Sequence, residues 1–212
     1  MEDDETWESQ LAQQKGFGVM NFGVGNYGVD QALLRYQSMS LPNTVQVVVM
    51  AFVPETICRI QSYWKHYLEF GNTFAFKPRF ILDSNDNLIL LNNPIRNNED
   101  YLSYQEKLPE IQKGDEFYKK KFRSQQFRFP YIFSLMRHPI KQCLIVSAVA
   151  IRGACRVLGI SSAKIENLPF KLVMKNNLRD AHALYKEDKS KKLLSAILLS
   201  FRDEAIRRGH TP

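Results

Sequence analysis

The chain has 212 residues, of which 44% are hydrophobic, and a formal net charge of +7. This length and apolar content suit one domain with a real core and exclude a disordered chain. The most apolar run, residues 143–151, lies between Lys141 and Arg152 and is too short to cross a bilayer, so it predicts a buried helix and no membrane span. The N-terminus is acidic, unlike a secretory signal, and this favours a cytoplasmic location.

Cysteine and histidine are too scattered to predict a metal site. No two of them have the close spacing of metal ligands, and an odd number of cysteines does not suggest a disulfide framework. The sequence therefore predicts no metal, no cofactor and reduced, structural cysteines. The residues concerned are Cys58, Cys143, Cys155, His66, His138, His182 and His210.

A glycine-rich turn is the first motif along the chain. Residues 17–22 are typical of a short buried strand, and residues 30–37 have helical spacing after Asp30, which could cap the helix. The three glycines between them, at positions 23, 25 and 28, would let backbone N–H groups converge on an anion. The letters also fit the dinucleotide motif G-x-G-x-x-G, although residues 41–45 supply none of the carboxylate which that motif needs. A glycine turn without chemical function is a further interpretation.

The next element is a continuous apolar, β-branched run at residues 44–52. Such a run is typical of a strand buried on both faces of a parallel sheet. Ligands of open α/β sheets bind outside the carboxyl ends of the strands. Residues 53–59, which follow this strand, should therefore face the same crevice as the glycine turn.

Residues 61–130 have a different composition, rich in aromatic residues and asparagine, and we interpret them as an insertion that shapes a substrate pocket. Within it, turn residues 83–87 separate two apolar runs and predict a hairpin of residues 79–82 with 88–91. Helices are expected near residues 115–124 and 131–158.

Basic and aromatic residues alternate in Lys119–Arg123 and at Phe127, Arg128 and Phe129. This pattern could bind nucleic acid or an acidic glycan. Runs of charge are usually solvated faces, and no nucleic-acid-binding motif is present, so the solvated face is the preferred interpretation.

The clearest amphipathic helix spans residues 190–206, and Gly209 is a typical helix stop. A helix that ends in glycine and is followed by Thr211 and Pro212 ordinarily leads into another parallel strand. We therefore expect the sequence to be cut off at this point.

Together, residues 5–7, 21–35, 45–57, 77–80 and 201–209 resemble the SGNH (GDSL-type) hydrolases. The resemblance implies an α/β fold of the flavodoxin-like, three-layer type, with residues 1–212 as a single partial domain. In the family, the first strand of the parallel sheet lies between the strands near Val19 and Val45. That strand is missing here, so the sheet would be incomplete. Those two strands should either pair directly or leave a gap.

The resemblance also implies site residues. The family's glycine block places an oxyanion donor at Asn26, with Gly25 and Tyr27 beside it as substrate-binding positions. Its next block places a side-chain donor at Glu55, or at Thr56 with a shift of one residue, and an ionised carboxylate cannot donate.

The catalytic groups of the family do not occur in the sequence: there is no Gly-Asp-Ser and no D-x-x-H, and Asp180 and His182 have the wrong spacing. The resemblance thus implies a fragment of a serine ester hydrolase, inactive by itself, whose parent acts on a small-molecule or glycan ester. The alternative is a complete, non-catalytic glycan-binding or assembly protein on the same scaffold.

Overall fold

A computed structural model describes residues 6–25, 27–63, 76–117, 132–133, 136, 139–160 and 162–212. The described part is a mixed α/β structure that is mostly helical and has a small antiparallel sheet of two strands. The elements are α1 (Trp7–Lys15), α2 (Val29–Ser38), α3 (Thr56–Arg59), β1 (Arg79–Leu82), β2 (Leu88–Leu91), α4 (Asn98–Leu102), α5 (Tyr104–Gly114), α6 (Pro139–Val157), α7 (Ala163–Glu166), α8 (Leu168–Leu184) and α9 (Asp188–Arg207).

The main core forms where α9 crosses α2, α3 and the hairpin. Helix α2 buries residues at helical spacing, and α9 buries a longer stripe of the same kind. Leu33, Ile57 and Ile197 are fully buried in this cluster. The two helices predicted around residues 30–37 and 190–206 are therefore confirmed, each a little longer than expected.

The predicted hairpin is also confirmed. β1 and β2 pair antiparallel, with Arg79 opposite Leu91 and Leu82 opposite Leu88. In the turn, Oδ1 of Asp83 accepts hydrogen bonds from the N–H groups of Asn85 and Asn87, both at 2.8 Å. Local side-chain-to-backbone bonds of this kind are why aspartate and asparagine mark turns in a sequence.

A second, smaller core lies within the predicted insertion. Tyr63, Ile95 and Ile111 are buried there, and partly buried aromatic and leucine side chains surround them. This cluster joins α5 to the segments on either side of the hairpin. The role of residues 61–130 in shaping a pocket stays a prediction.

The two strands predicted at residues 17–22 and 44–52 are not strands in the described structure. Neither segment has a strand assignment, and the only ladder contact of residues 44–52 with described residues is an isolated parallel bridge between Val47 and Thr211. Val48 and Met50 pack on the main core, whereas Val49 is 76% exposed. The run is therefore buried on one face and not on both, because a strand needs neighbours that the described residues do not supply.

The C-terminal end of α9 behaves as the sequence predicted. Gly209 adopts a left-handed φ of 79°, and the N–H of His210 reaches back to the carbonyl of Ala205 at 2.9 Å. This glycine-based stop satisfies the last carbonyls of the helix. Thr211 then donates to Gln46 O at 2.7 Å and accepts from Val48 N–H at 2.9 Å, so parallel pairing begins directly after the helix.

Arg208 ties the end of α9 to the end of α2. Its guanidinium donates to the carbonyls of Met39 and Gln37, at 2.8 and 2.6 Å, and lies over the ring of Tyr36. Glu204 accepts from Arg207 and Arg208, and these bonds lower the pKa of Glu204 to about 2. A cation at the C-terminus of a helix also interacts favourably with its terminal carbonyls.

The helix predicted within residues 131–158 is present as α6, but the prediction that residues 143–151 are buried is wrong. Ala148 is buried, while Leu144 and Ile151 are exposed. Hydrophobicity alone predicted burial, and it cannot tell a face that contacts the core from one that does not. No helix among the described residues is long and apolar enough to cross a membrane, and all three cysteines are free thiols.

We expect Ile197→Ala to lower the free energy of unfolding by about 2 to 5 kcal/mol, because Ile197 is 0% exposed and its loss leaves a cavity. Val49→Ala is the matched control and should cost less than about 0.5 kcal/mol. Urea denaturation followed by circular dichroism measures both. Equal costs for the two variants would contradict the one-sided burial of residues 44–52.

Glu204→Gln should destabilise the chain by about 1 kcal/mol at pH 7. The folded pKa of about 2 lies below the usual 4.5, so Glu204 contributes stability above pH 4.5 that is lost as the pH falls towards 2. The difference between Glu204→Gln and the unsubstituted chain should therefore shrink over that range. Asp203→Asn, which removes an exposed pair with Arg202, is the control and should change stability little at any pH. If the stability difference between Glu204→Gln and the unsubstituted chain did not change with pH, the low pKa of Glu204 would be contradicted.

Candidate functional site

The structure brings the glycine turn and the end of α3 together. Arg59, at the end of α3, donates from Nη1 to the backbone carbonyl of Tyr27 at 3.0 Å. The two residues are 32 positions apart in the sequence. The two segments that were predicted to face one crevice are thus joined by a direct hydrogen bond.

Side chains within the turn hold its backbone. Oδ1 of Asn21 accepts from the N–H of Gly23 at 2.7 Å, and its amide donates to Glu8 of α1. A Cβ at position 23 would lie 2.9 Å from Oδ1 of Asn21, so any larger residue there would displace the Asn21 side chain. The N–H of Tyr27 donates to Val24 O at 3.2 Å, which closes the turn.

Helix α2 begins at the end of this turn, and its cap is Gly28 rather than Asp30. The N–H of Gly28 donates to Oε1 of Gln31 at 3.3 Å. Asp30 lies inside the first turn, fully buried, and accepts from the N–H of Gln31 at 2.9 Å. The prediction of Asp30 as the cap is wrong because its carboxylate is held by a cation from another part of the chain.

That cation is Lys77, just before β1. Its ammonium group donates to Oδ2 of Asp30, and the two side chains are 1% and 0% exposed. Burial lowers the pKa of Lys77, and the neighbouring Asp30 carboxylate opposes that shift. A buried charge needs a partner, so each of these two residues depends on the other. A Cβ at position 28 would lie 2.4 Å from Oδ1 of Asp30, which makes Gly28 part of the same arrangement.

A second buried charge lies two residues further along the chain. Arg79 donates from Nη1 to the carbonyls of Gln61 and Gly114, at 2.7 and 2.6 Å. Asp115 accepts from the hydroxyl of Ser62 and the N–H of Tyr63, both at 2.7 Å. Burial raises the pKa of Asp115, and these hydrogen bonds act against that increase. The cluster fixes the segment that follows α3 against the base of the hairpin.

Glu55 and Thr56 lie at the N-terminus of α3. Glu55 is half-buried, and its side chain does not cap the helix. Thr56 is buried, and its N–H donates to Val53 O at 2.9 Å. Tyr185, directly after α8, donates from its hydroxyl to Pro54 O at 3.1 Å. Burial raises the pKa of Tyr185, and Cys58 and Glu55 contribute in the same direction.

The remaining predicted positions differ in what the structure shows. Asn26 lies outside the described residues, Gly25 is exposed in the turn and Tyr27 is half-buried. The basic and aromatic segment from Lys119 to Phe129 also lies outside them. The roles given to Asn26, Gly25, Tyr27, Glu55 and Thr56 stay predictions.

The spacing of Asp180 and His182 along the chain prevents them from forming a catalytic pair. Both lie on α8, two residues apart, where side chains point to different sides of a helix. His182 is exposed and Asp180 is half-buried. The geometry of the helix therefore agrees with the sequence analysis, in which these two residues have the wrong spacing for a catalytic pair.

One shallow groove lies at the opposite end of α2 from the glycine turn. It encloses about 470 Å³ between the hairpin turn and α9. Its carboxylates already have basic partners: Asp86 pairs with Lys192, Asp203 with Arg202, and Glu204 with Arg207. The groove therefore offers no set of convergent groups for chemistry. Among the described residues, no three potential metal ligands lie together.

Comparison with known proteins adds no relative. The sequence matches no family model, and neither a curated protein nor a solved structure matches it. The resemblance to SGNH hydrolases therefore rests on the residues quoted from this sequence.

Sequence reasoning missed the residues that hold the site together, namely Arg59, Lys77 and Arg79. Basic side chains are mostly exposed in proteins, so a lysine or arginine carries no local signal of burial. The one available signal was their position at the edges of apolar segments, with Arg59 after residues 56–58 and Lys77 and Arg79 around β1.

We expect Lys77→Met to destabilise the chain by about 3 to 5 kcal/mol, because it leaves the Asp30 carboxylate buried without its cation. The double variant Lys77→Met/Asp30→Asn should recover at least about 1 kcal/mol of that loss, as measured by urea denaturation. Lys107→Met, which removes a partly exposed pair with Asp100, is the control and should cost less than about 1 kcal/mol. Similar costs for Lys77→Met and Lys107→Met would show that the buried pair is not a structural requirement.

Proposed function

We propose that this chain carries the oxyanion-binding side of an SGNH-type serine ester hydrolase. The proposed fold is the flavodoxin-like, three-layer arrangement, of which residues 1–212 form a part. The proposed substrate class is an ester of a small molecule or a glycan, and the reaction is acyl transfer to water.

The observation that carries this proposal is the hydrogen bond from Arg59 to the carbonyl of Tyr27. It joins the glycine turn to the last residue of α3, a four-residue helix that begins beside Glu55 and Thr56. The family resemblance assigns residues of these two segments to the oxyanion hole. Backbone donors are useful for this purpose only when the surrounding structure fixes their direction. The Asn21 side chain and the buried pair of Lys77 with Asp30 fix the turn from its two sides.

Residues 17–22 before α2 and residues 44–52 after it support a larger parallel sheet. Val47 already forms a parallel bridge with Thr211, and Val49 presents an apolar side chain to solvent. Phe17, Met20 and Phe22 are exposed along the other segment. A strand placed between the two segments would pair with the backbone of both, and the layers that pack on the sheet would cover these side chains.

The proposed mechanism assigns few steps to this chain. A serine hydroxyl attacks the ester carbonyl while a histidine removes its proton, and the N–H near Asn26 stabilises the negative oxygen that forms. Glu55 is half-buried and accepts hydrogen bonds when ionised, and the Thr56 side chain is buried, so the proposed mechanism takes its donor from the backbone. Neither Gly-Asp-Ser nor D-x-x-H is present in these 212 residues. The chain by itself should therefore be inactive.

The experiment compares this chain with a longer product of the same gene that carries both catalytic motifs, using 4-nitrophenyl acetate and a fluorophosphonate probe. We expect the longer product to hydrolyse the ester and to be labelled, and this chain to do neither. In the longer product, Arg59→Met should lower kcat by about tenfold or more with a smaller effect on KM, because it releases the turn that presents the donor.

Arg202→Met is the matched control, since Arg202 is exposed and pairs only with its neighbour Asp203 among the described residues; it should leave kcat unchanged. Serine-probe labelling and esterase activity of this chain alone would overturn the proposal. A natural product with an intact mass of 24.7 kDa would instead favour the non-catalytic binding protein.

A further inference from the structure

Helix α6 exposes a broad face that has no charged residue. Ile140, Leu144, Ser147, Ile151, Ala154 and Leu158 follow one another at spacings of four and three, and all six are exposed. Spacings of this kind keep side chains on one side of a helix. We call Ile140, Leu144 and Ile151, together with Leu158 directly after the helix, the apolar face of α6.

Further exposed residues of α6 widen this face. Cys143, Val146, Ala150, Gly153 and Val157 lie beside it and are exposed as well. The packed side of α6 is opposite, where Ala148 is buried and the helix contacts α8. Ile140 and Leu158 are 78% and 72% exposed. Contiguous apolar surface of this kind marks a site of interaction with a protein or a membrane.

The charges around the apolar face are almost all positive. All charged residues of α6 are basic: Lys141, Arg152 and Arg156. Residues 139–186 contain eight lysines and arginines and only two acidic residues, which accounts for most of the net charge of the chain. One of the two acids, Glu166, is already paired with Arg156 at 2.6 Å.

The neighbouring helix α8 adds a cationic stripe. Lys171, Lys175 and Arg179 recur every four residues along α8 and are exposed. Helix α8 packs on α6. The exposed apolar face of α6 and the exposed basic stripe of α8 therefore belong to one pair of packed helices. Apolar side chains with lysine and arginine beside them are typical of helices that lie in the interface of an anionic membrane.

These charges decide between the two occupants that an apolar helix face could take. A second copy of this chain would bring one basic surface against another, and like charges oppose such a contact. An anionic lipid surface attracts them, with about 1 kcal/mol for each lysine or arginine close to the membrane. We propose that the apolar face of α6 docks onto an anionic lipid bilayer, with the α8 stripe contacting the negatively charged headgroups.

The dimensions of the helix suit this arrangement. Helix α6 has 19 residues and is about 28 Å long, so lying flat it presents several apolar side chains to the upper acyl region at once. Docking of this kind concerns α6 and α8 and does not depend on the hydrolase function proposed above.

The first experiment measures sedimentation of the full chain with vesicles of phosphatidylcholine alone, or of phosphatidylcholine with 30% phosphatidylglycerol. Binding should be saturable, selective for the anionic vesicles and weaker at higher salt. Leu144→Ser/Ile151→Ser should weaken it by about tenfold or more. Leu199→Ser/Ile206→Ser, which changes two exposed apolar residues of α9, is the matched control and should bind normally.

A charge-reversal pair tests the stripe separately. Lys171→Glu/Lys175→Glu should weaken binding to anionic vesicles by about tenfold or more. Lys15→Glu/Lys113→Glu changes the net charge by the same amount at two exposed positions elsewhere and should have a much smaller effect. Circular dichroism of each variant confirms that the exposed substitutions leave the fold intact.

Cys143 provides a direct readout, because it is exposed beside the apolar face while Cys58 is buried. In a Cys155→Ser variant, an environment-sensitive fluorophore on Cys143 should shift to shorter wavelength only with anionic vesicles. Equal sedimentation with both vesicle types, or equal loss in test and control variants, would overturn the proposal. So would a dimer that Leu144→Ser/Ile151→Ser dissociates in a chain that does not bind vesicles, since the face would then join two copies.

Discussion

The buried ion pair of Lys77 with Asp30 is the constraint on which the rest of the structure depends. Neither side chain contacts solvent, so separating them would leave a charge in a low-dielectric interior. The pair joins the first turn of α2 to the residue that leads into β1, and β1 in turn packs on α9. A local helix and a distant hairpin are therefore held in one orientation by an interaction that tolerates little displacement.

The candidate site is connected to this pair through the glycine turn. Asp30 is held close to Gly28, and the carbonyl of the preceding residue, Tyr27, accepts the hydrogen bond from Arg59. The chain of contacts runs from the hairpin, through the glycine turn, to α3. These contacts hold described residues of the turn that precede and follow position 26.

The parts of the fold that the sequence predicted are those whose signals are local. Helices α2 and α9 follow from the spacing of their apolar residues, the hairpin from Asp83–Asn87, and the end of α9 from Gly209. Residues 44–52 could not be assigned in this way, because burial on two faces depends on strands far away in the sequence. Lys77, Arg79 and Arg59 were missed for a related reason: their burial is created by partners elsewhere, and no neighbouring residue signals it. Asn26 was placed by resemblance and lies outside the residues that the structure describes.

The contacts of Arg208 and His210 have a consequence for the order in which the chain folds. Tyr36 Oη lies 2.6 Å from Nδ1 of His210, and these residues are 174 positions apart in the sequence. Closing so long a loop costs about 4 to 5 kcal/mol of chain entropy, which a bridge of two backbone hydrogen bonds cannot offset alone. The contacts of Arg208 and His210 with α2 close most of this loop, so little further chain entropy is lost when Thr211 pairs with Val47. The parallel pairing with Val47 should consequently be among the last contacts to form, and it completes only after the last residues of α9 have been synthesised.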